Sequence, residues 1–238
     1  RGGLRHRRRR VGRGGLLGVA ALRGQGHHGG DAREHGHPRP GGAGAPRPTL
    51  IDLDIVTPYF RSREMAEAMQ LRGVDVLAPA ALARYLDTPA ITPHILGALQ
   101  RQGQPTVLDV GGDEQGARAL GQYSAALREL GYAMYLVVNP FRPWTSDTPG
   151  IRDSIGQIER TSRLLVTGLV SNPNLLAETT IDQALAGQNV VELAGRQLGI
   201  PVVFTAIERS LAGQMAGRLA PDMPMLPLER FFVMPWNE

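Results

Sequence analysis

Residues 106–112 read TVLDVGG, a short aliphatic run that ends in an acid and two glycines. Runs of this kind are typical of strands that are covered on both faces of a parallel sheet. The acid and the glycines then follow the strand at its carboxyl end, where parallel α/β sheets bind their ligands. This stretch therefore predicts a parallel α/β fold with a ligand site beyond the strand ends.

The same alternation of strand and helix patterns continues on both sides of this stretch. Further strands are predicted at residues 50–56, 74–77, 133–138, 165–170 and 200–205, and helices at 61–72, 93–101, 114–130, 151–164, 180–198 and 209–219. Strands that alternate with helices of this length indicate right-handed crossover connections. We expect an α/β parallel sheet with helices on both faces, in three layers, with no strand after residue 205.

The chain divides near Pro48 into two segments of unlike composition. Residues 1–48, here called the head, hold 11 arginines against two acids, a charge of +9, and 14 of the 30 glycines. Residues 49–238, the body, hold 15 arginines against 20 acids, a charge of −5. The net charge of +4 therefore comes from the head and says little about what the body binds.

The head has neither a helical nor a strand period, so we expect it to be disordered. Three interpretations stay open: a disordered basic tail, an arginine-rich tether for nucleic acid, or an out-of-frame reading of a GC-rich gene. A targeting peptide fits poorly, because basic residues precede the one short apolar stretch. No run of about 18 apolar residues occurs, so we expect a cytoplasmic protein without a transmembrane segment.

Two residue types are absent from the whole chain. Without cysteine there is no disulfide scaffold, no thiolate metal site and no thiol nucleophile. Without lysine there is no Schiff base, and no intact GK[ST] phosphate-binding loop.

Polar residues follow several of the predicted strands. Asp52 and Asp54 end the first strand of the body, and two acids at one strand end predict a role in orienting magnesium or water. Asp109 lies shortly before two glycines. This arrangement is typical of an acid that contacts the hydration shell of Mg²⁺, although Asp109 could instead cap the next helix. Asn172 either forms a turn or contacts a purine edge, and Asn139 is expected to form a turn.

Three stretches resemble the CobQ/CobB/MinD/ParA nucleotide-binding family, which are P-loop NTPases of the deviant Walker kind. Residues 49–64 read TLIDLDIVTPYFRSRE, residues 107–121 read VLDVGGDEQGARALG, and residues 169–180 read LVSNPNLLAETT. The resemblance covers nearly the whole body. It implies a P-loop NTPase-like fold, with ATP and Mg²⁺ as cofactors.

The resemblance also implies roles for individual residues near the magnesium and the γ-phosphate. Asp54 would orient the attacking water as the catalytic residue, while Asp52 and Asp109 would lie near the metal. Gly111 and Gly112 would form the turn that senses the γ-phosphate.

At the nucleoside end, Asn172 would contact the adenine, and a loop from Thr205 to Glu208 would lie near the base or ribose. For Arg61 and Arg63, phosphate contact and a salt bridge within the body remain open.

The chain departs from the family in the 30 to 50 residues before Leu50. The family has there a central strand, a glycine-rich phosphate loop with an obligatory lysine, and a helix, whereas this chain has the head. We therefore expect the first βα unit to be missing, its neighbouring strands to be left unpaired, and ATP binding to be weak or absent.

Three functions follow from these observations. The first is a Mg-dependent ATPase or switch, coupled to dimerisation or to a partner protein. The second is an ATP-dependent amide-forming enzyme of the cobyrinate diamide synthase kind, which the absence of a cysteine nucleophile disfavours. The third is nucleic-acid binding through the head.

Overall fold

The computed structural model describes residues 19–22, 47–53, 66–77, 91–101 and 103–229. Eight strands lie in these residues: β1 Val19–Leu22, β2 Thr49–Asp52, β3 Asp75–Leu77, β4 Thr106–Val110, β5 Ala133–Val138, β6 Gly168–Ser171, β7 Val202–Glu208 and β8 Met225–Leu228. Seven α-helices connect them: α1 Ala66–Leu71, α2 Ile91–Gln100, α3 Glu114–Gly121, α4 Ser124–Leu130, α5 Thr148–Ser162, α6 Ile181–Leu198 and α7 Arg209–Ala216.

All eight strands form one sheet in the order β3-β2-β4-β1-β5-β6-β7-β8. Every pair is parallel except the two that β1 makes with β4 and β5, which are antiparallel. The predicted parallel α/β architecture is confirmed. The carboxyl ends of the seven parallel strands lie along one edge of the sheet, called here the carboxyl edge.

Strand β1 corrects two expectations about the head. No strand was predicted there, yet Val19 pairs with Val110 on one side and with Leu136 on the other. The strands on either side of the central position are therefore not left unpaired. Four residues are too few to show a period, and the hydrogen-bonding groups of both neighbouring strands favour an extended segment between them. Apart from Arg47 and Pro48, which lead into β2, the rest of the head lies outside the described residues.

The main core lies between the sheet and helices α2 to α6. Ile51, Leu108 and Leu136 are fully buried on this face of the sheet, and Leu120 and Val191 are fully buried on the helices that cover it. Because strand side chains alternate, the residues between them point to the opposite face. The connection through α1 leads from β2 to β3, which is the opposite direction along the sheet from the connections through α2 to α6. Because parallel crossovers are right-handed, α1 lies on that opposite face.

Several element boundaries differ from the predictions. The helix predicted over 114–130 is two helices, α3 and α4, which Gln122 and Tyr123 separate. Strand β7 extends to Glu208 rather than ending at Thr205, and β8 follows it in the proline-containing tail where no strand was predicted. Proline is tolerated in β8 because an edge strand leaves one of its hydrogen-bonding sides outside the sheet.

Among the described residues, no helix has the length and apolar character needed to cross a membrane.

Candidate functional site

Asp52 and Asp109 lie side by side at the carboxyl edge. They are direct partners in the parallel register of β2 and β4, and Leu53 N donates to Asp109 O at 2.7 Å just beyond them. Since Ile51 and Leu108 point into the main core, both acids point to the opposite face of the sheet. Asp52 is 1% exposed and Asp109 is half-buried. The structure thus brings together the two acids that were predicted to lie near magnesium.

Asp54, the predicted catalytic residue, lies outside the described residues, one position after Leu53. Arg61 and Arg63 lie in the same undescribed segment, residues 54–65. Their predicted roles are therefore not tested by the structure.

The glycine turn after β4 is held against the first turn of α3. Asp113 caps α3, because its Oδ1 accepts from Gly116 N at 2.9 Å. A Cβ at Gly116 would overlap the carbonyl of Gly111, so helix and turn are in direct backbone contact. The cap is supplied by Asp113, so the Asp109 carboxylate does not have the capping role that the sequence left open.

Asn139 builds the loop that follows β5. Its Nδ2 donates to Asn174 O at 2.8 Å, and its Oδ1 accepts from Phe141 N at 3.1 Å. The side chain thereby joins the loops that follow β5 and β6. Gly187 of α6 packs beneath both loops, since a Cβ there would lie 2.7 Å from Pro173 Cβ and 2.8 Å from Pro140 Cγ. The structural role predicted for Asn139 agrees with this geometry.

Asn172 lies at a cavity of about 190 Å³ at the carboxyl edge. The lining residues come from the segments that follow β6, from the end of β7 and from the end of β8: 172–174, Thr179, 207–208 and 228–229. The backbone N–H of Asn172 donates to Val138 O at 2.9 Å, which fixes its main chain. A cavity of about 150 Å³ holds benzene, so this volume has room for a planar base.

Glu208 and Glu229 also line this cavity; the resemblance placed Glu208 in a loop near the base or ribose, whereas Glu229 was not predicted. Their positions depend on the full length of β7 and on the presence of β8, neither of which the apolar pattern shows. Glu229 is paired with Arg209, whereas the exposed carboxylate of Glu208 can accept hydrogen bonds from donor groups such as ribose hydroxyls or base amines.

Thr205 lies in the middle of β7 and not in a loop, so the predicted loop from Thr205 to Glu208 is wrong. It is fully buried, and its Oγ1 donates to Gln188 Oε1 at 2.8 Å. Gln188 Nε2 in turn donates to Glu192 Oε1 at 2.8 Å. The hydroxyl of Thr205 therefore ties β7 to α6.

Tyr135 lies on the same face of the sheet as the acids, with β1 between. Ala20 of β1 is the register partner of both Asp109 and Tyr135. A Cβ on Gly168 would lie 3.1 Å from the ring, so the tyrosine packs over that glycine. Burial raises the pKa of Tyr135.

The described residues contain no group of three or more His, Cys, Asp or Glu side chains placed to hold a metal. Mg²⁺ does not need such a cage, because it is usually bound by one or two carboxylates together with water and substrate phosphates. The Asp52–Asp109 pair fits that pattern. A lysine for the phosphates does not exist in this chain.

No family model, curated protein or solved structure matches this chain.

Proposed function

We propose that the body is a nucleotide-binding domain of the MinD/ParA/CobQ type that uses Mg²⁺ and is impaired in phosphate binding. The observation that carries the proposal is the register of Asp52 with Asp109 at the carboxyl ends of adjacent strands, followed by the turn at Gly111 and Gly112. Two carboxylates on adjacent parallel strands, whose backbones lie about 4.8 Å apart, suit one divalent cation.

The remaining parts of the edge suit a nucleotide laid along it. The backbone at Gly111 and Gly112 is free of side chains, so its N–H groups allow a phosphate to approach closely. The cavity beside Asn172 lies further along the edge and has the size and hydrogen-bonding character of a base or ribose site. In this arrangement Mg²⁺ would supply charge neutralisation of the phosphates, while Asp52 and Asp109 would hold its hydration shell.

The phosphate-binding charge does not fit the family pattern. No lysine is present, and β1 occupies the central position of the sheet in the antiparallel direction. Preorganised charges at the phosphates are worth orders of magnitude in rate. We therefore expect weak nucleotide binding and little hydrolysis from this chain.

The test is calorimetric titration of the full chain with ATP, with and without Mg²⁺. We expect a Kd on the order of 1 mM or weaker, tighter with Mg²⁺ than without. Asp109→Asn should abolish the difference that Mg²⁺ makes, because it removes one carboxylate from the pair. Asp153→Asn, at an exposed position on α5, serves as the control and should behave as wild type.

Two results would contradict this proposal in different ways. Binding that is indifferent to Mg²⁺, or to the Asp109 substitution, would mean that the acid pair is not a metal site. A micromolar Kd would mean that the chain holds a phosphate site equivalent to the missing loop.

The amide-forming alternative lacks a feature that favours it. Such an enzyme needs a source of ammonia, and this chain has no cysteine nucleophile to release it from glutamine.

Nucleic-acid binding through the head is best tested by substituting the arginines at 7–10. Deleting the head would also remove β1, which pairs with two strands of the body.

A further inference from the structure

Arg142 lies at the carboxyl edge, in the tight turn that follows β5. Its N–H donates to Asn139 O at 3.1 Å, and its carbonyl accepts from Thr145 N at 3.0 Å. Thr145 Oγ1 donates to the same Asn139 carbonyl at 2.7 Å, and both of these neighbours are buried. These hydrogen bonds fix the backbone of Arg142. The strand that precedes it, β5, is separated by β1 alone from β4, which carries Asp109.

The side chain of Arg142 lacks the partners that other arginines of the described chain have. Its Nε is buried and donates no hydrogen bond, and its guanidinium forms no ion pair with the described residues, although the residue as a whole is only partly buried. By contrast, Arg118 pairs with Glu114 at 2.8 Å and Arg209 with Glu229 at 2.5 Å. A buried N–H without an acceptor is costly, and arginine does not escape the cost by losing its proton.

A second polar group of the same kind ends the neighbouring strand. Ser171 is fully buried at the end of β6, and its Oγ has no hydrogen-bond partner. Ser171 is the register partner of Val138, the last residue of β5. The end of β6 and the turn after the adjacent strand β5 thus each carry a buried donor atom for which the described chain provides no acceptor.

We propose that Arg142 is an anion-binding residue that contacts phosphoryl oxygens at the carboxyl edge. The guanidinium fork matches two phosphate oxygens, and a chain without lysine must take this charge from arginine. The phosphoryl group comes from a nucleotide or from free phosphate. The nucleotide source rests on the function proposed above, whereas the free phosphate source does not.

The experiment compares Arg142→Met, Arg142→Lys and a control, Arg152→Met, in the full chain. Arg152 is exposed on α5, so its loss removes the same charge from the protein without removing the buried group. Thermal unfolding is measured without anion and with inorganic phosphate. Calorimetry then gives the Kd for ATP and for adenosine, which lacks phosphate.

Without anion, Arg142→Met should unfold at the same temperature as wild type or higher, because it removes a buried N–H that has no acceptor among the described residues. Phosphate should raise the unfolding temperature of wild type and of Arg152→Met, and should fail to raise that of Arg142→Met. The Kd for ATP should weaken about tenfold in Arg142→Met, less in Arg142→Lys, and the Kd for adenosine should not change.

The other outcomes distinguish a failure of the Arg142 inference from a failure of the proposed nucleotide-binding function. Should Arg142→Met lower stability without anion and keep the full response to phosphate, Arg142 is structural and the inference is overturned. A wild-type chain that responds neither to phosphate nor to ATP overturns it as well. Should phosphate act through Arg142 while ATP binds no better than phosphate and without regard to Mg²⁺, the anion site stands and the nucleotide proposal fails.

Discussion

On the β2 and β4 side of the carboxyl edge, the acids Asp52 and Asp109 stand at the strand ends while Asp113 caps the helix that follows. On the β5 and β6 side, Asn139 itself builds the loops, and Asn172 alone of the two asparagines is left facing a cavity. On the first side, the strand-end acids, which we propose to bind a ligand, do not build the loop, because Asp113 caps the helix. On the second side, the residue that follows β5, Asn139, itself builds the loop, and only Asn172 is proposed to bind a ligand.

This difference shows how a polar residue at a strand end is to be interpreted. A side chain that satisfies backbone groups of its own loop holds the site in place, and its loss costs folding free energy. A side chain without such contacts is available to a ligand, and its loss costs stability little. Substitution of paired positions on the two sides therefore separates positioning residues from binding residues.

The largest effect is expected at Gly116, where the acid side depends on close backbone contact. A methyl group there would overlap the Gly111 carbonyl, so Gly116→Ala should destabilise the chain by about 3 kcal/mol or prevent folding. Gly213→Ala on α7 is the control, since nothing lies within 4 Å of its Cβ and it should gain about 0.5–1 kcal/mol. Urea unfolding gives both values. If Gly116→Ala matches Gly213→Ala, α3 does not pack on the glycine turn.

The next effect compares the two asparagines. Asn139→Ala should cost about 2–3 kcal/mol, because it leaves the Phe141 N–H and the Asn174 carbonyl without their partner in a buried loop. Asn172→Ala should cost about 0.5 kcal/mol or less, because no internal hydrogen bond of its side chain is lost. Urea unfolding of both variants measures the contrast. Equal costs would show that Asn172 is a second loop-building residue rather than a binding residue.

The sequence predicts the strands that lie deep in the sheet and their ligand-facing ends well. The bounds of β4 and β5 agree with the predicted ones, and Asp109 lies at the predicted edge. These strands lie in the interior of the sheet, and their apolar runs end where the chain leaves it. The cap at Asp113 was also predictable, since an acid before a helix is a local signal.

The strands near the edge of the sheet and the central β1 could not be predicted in the same way. Strand β8 contains Pro227 and exposes Leu226 and Leu228 in part, so its pattern does not resemble a buried strand. Strand β1 is four residues long and is held by two neighbours that are far away in sequence. Non-local pairing decides both cases, and a local period contains no information about it.

The smallest of the three effects concerns Thr205, which the family resemblance assigns to a nucleotide and the structure assigns to the fold. Thr205→Val should cost about 1–2 kcal/mol, because it leaves Gln188 Oε1 buried without a donor. In a double-mutant cycle, adding Gln188→Met should recover part of the lost free energy of unfolding, because neither polar partner then remains.

The same variant decides between the two roles of Thr205. Its hydroxyl is fully buried and is not part of the cavity lining, so the affinity for ATP should not change in Thr205→Val. Thr205→Ser, which keeps the hydroxyl, should keep the bond to Gln188 as well. A loss of ATP affinity in Thr205→Val, with unchanged stability, would show that this hydroxyl contacts the ligand. A polar residue inside a strand could then bind a ligand as well as one at a strand end.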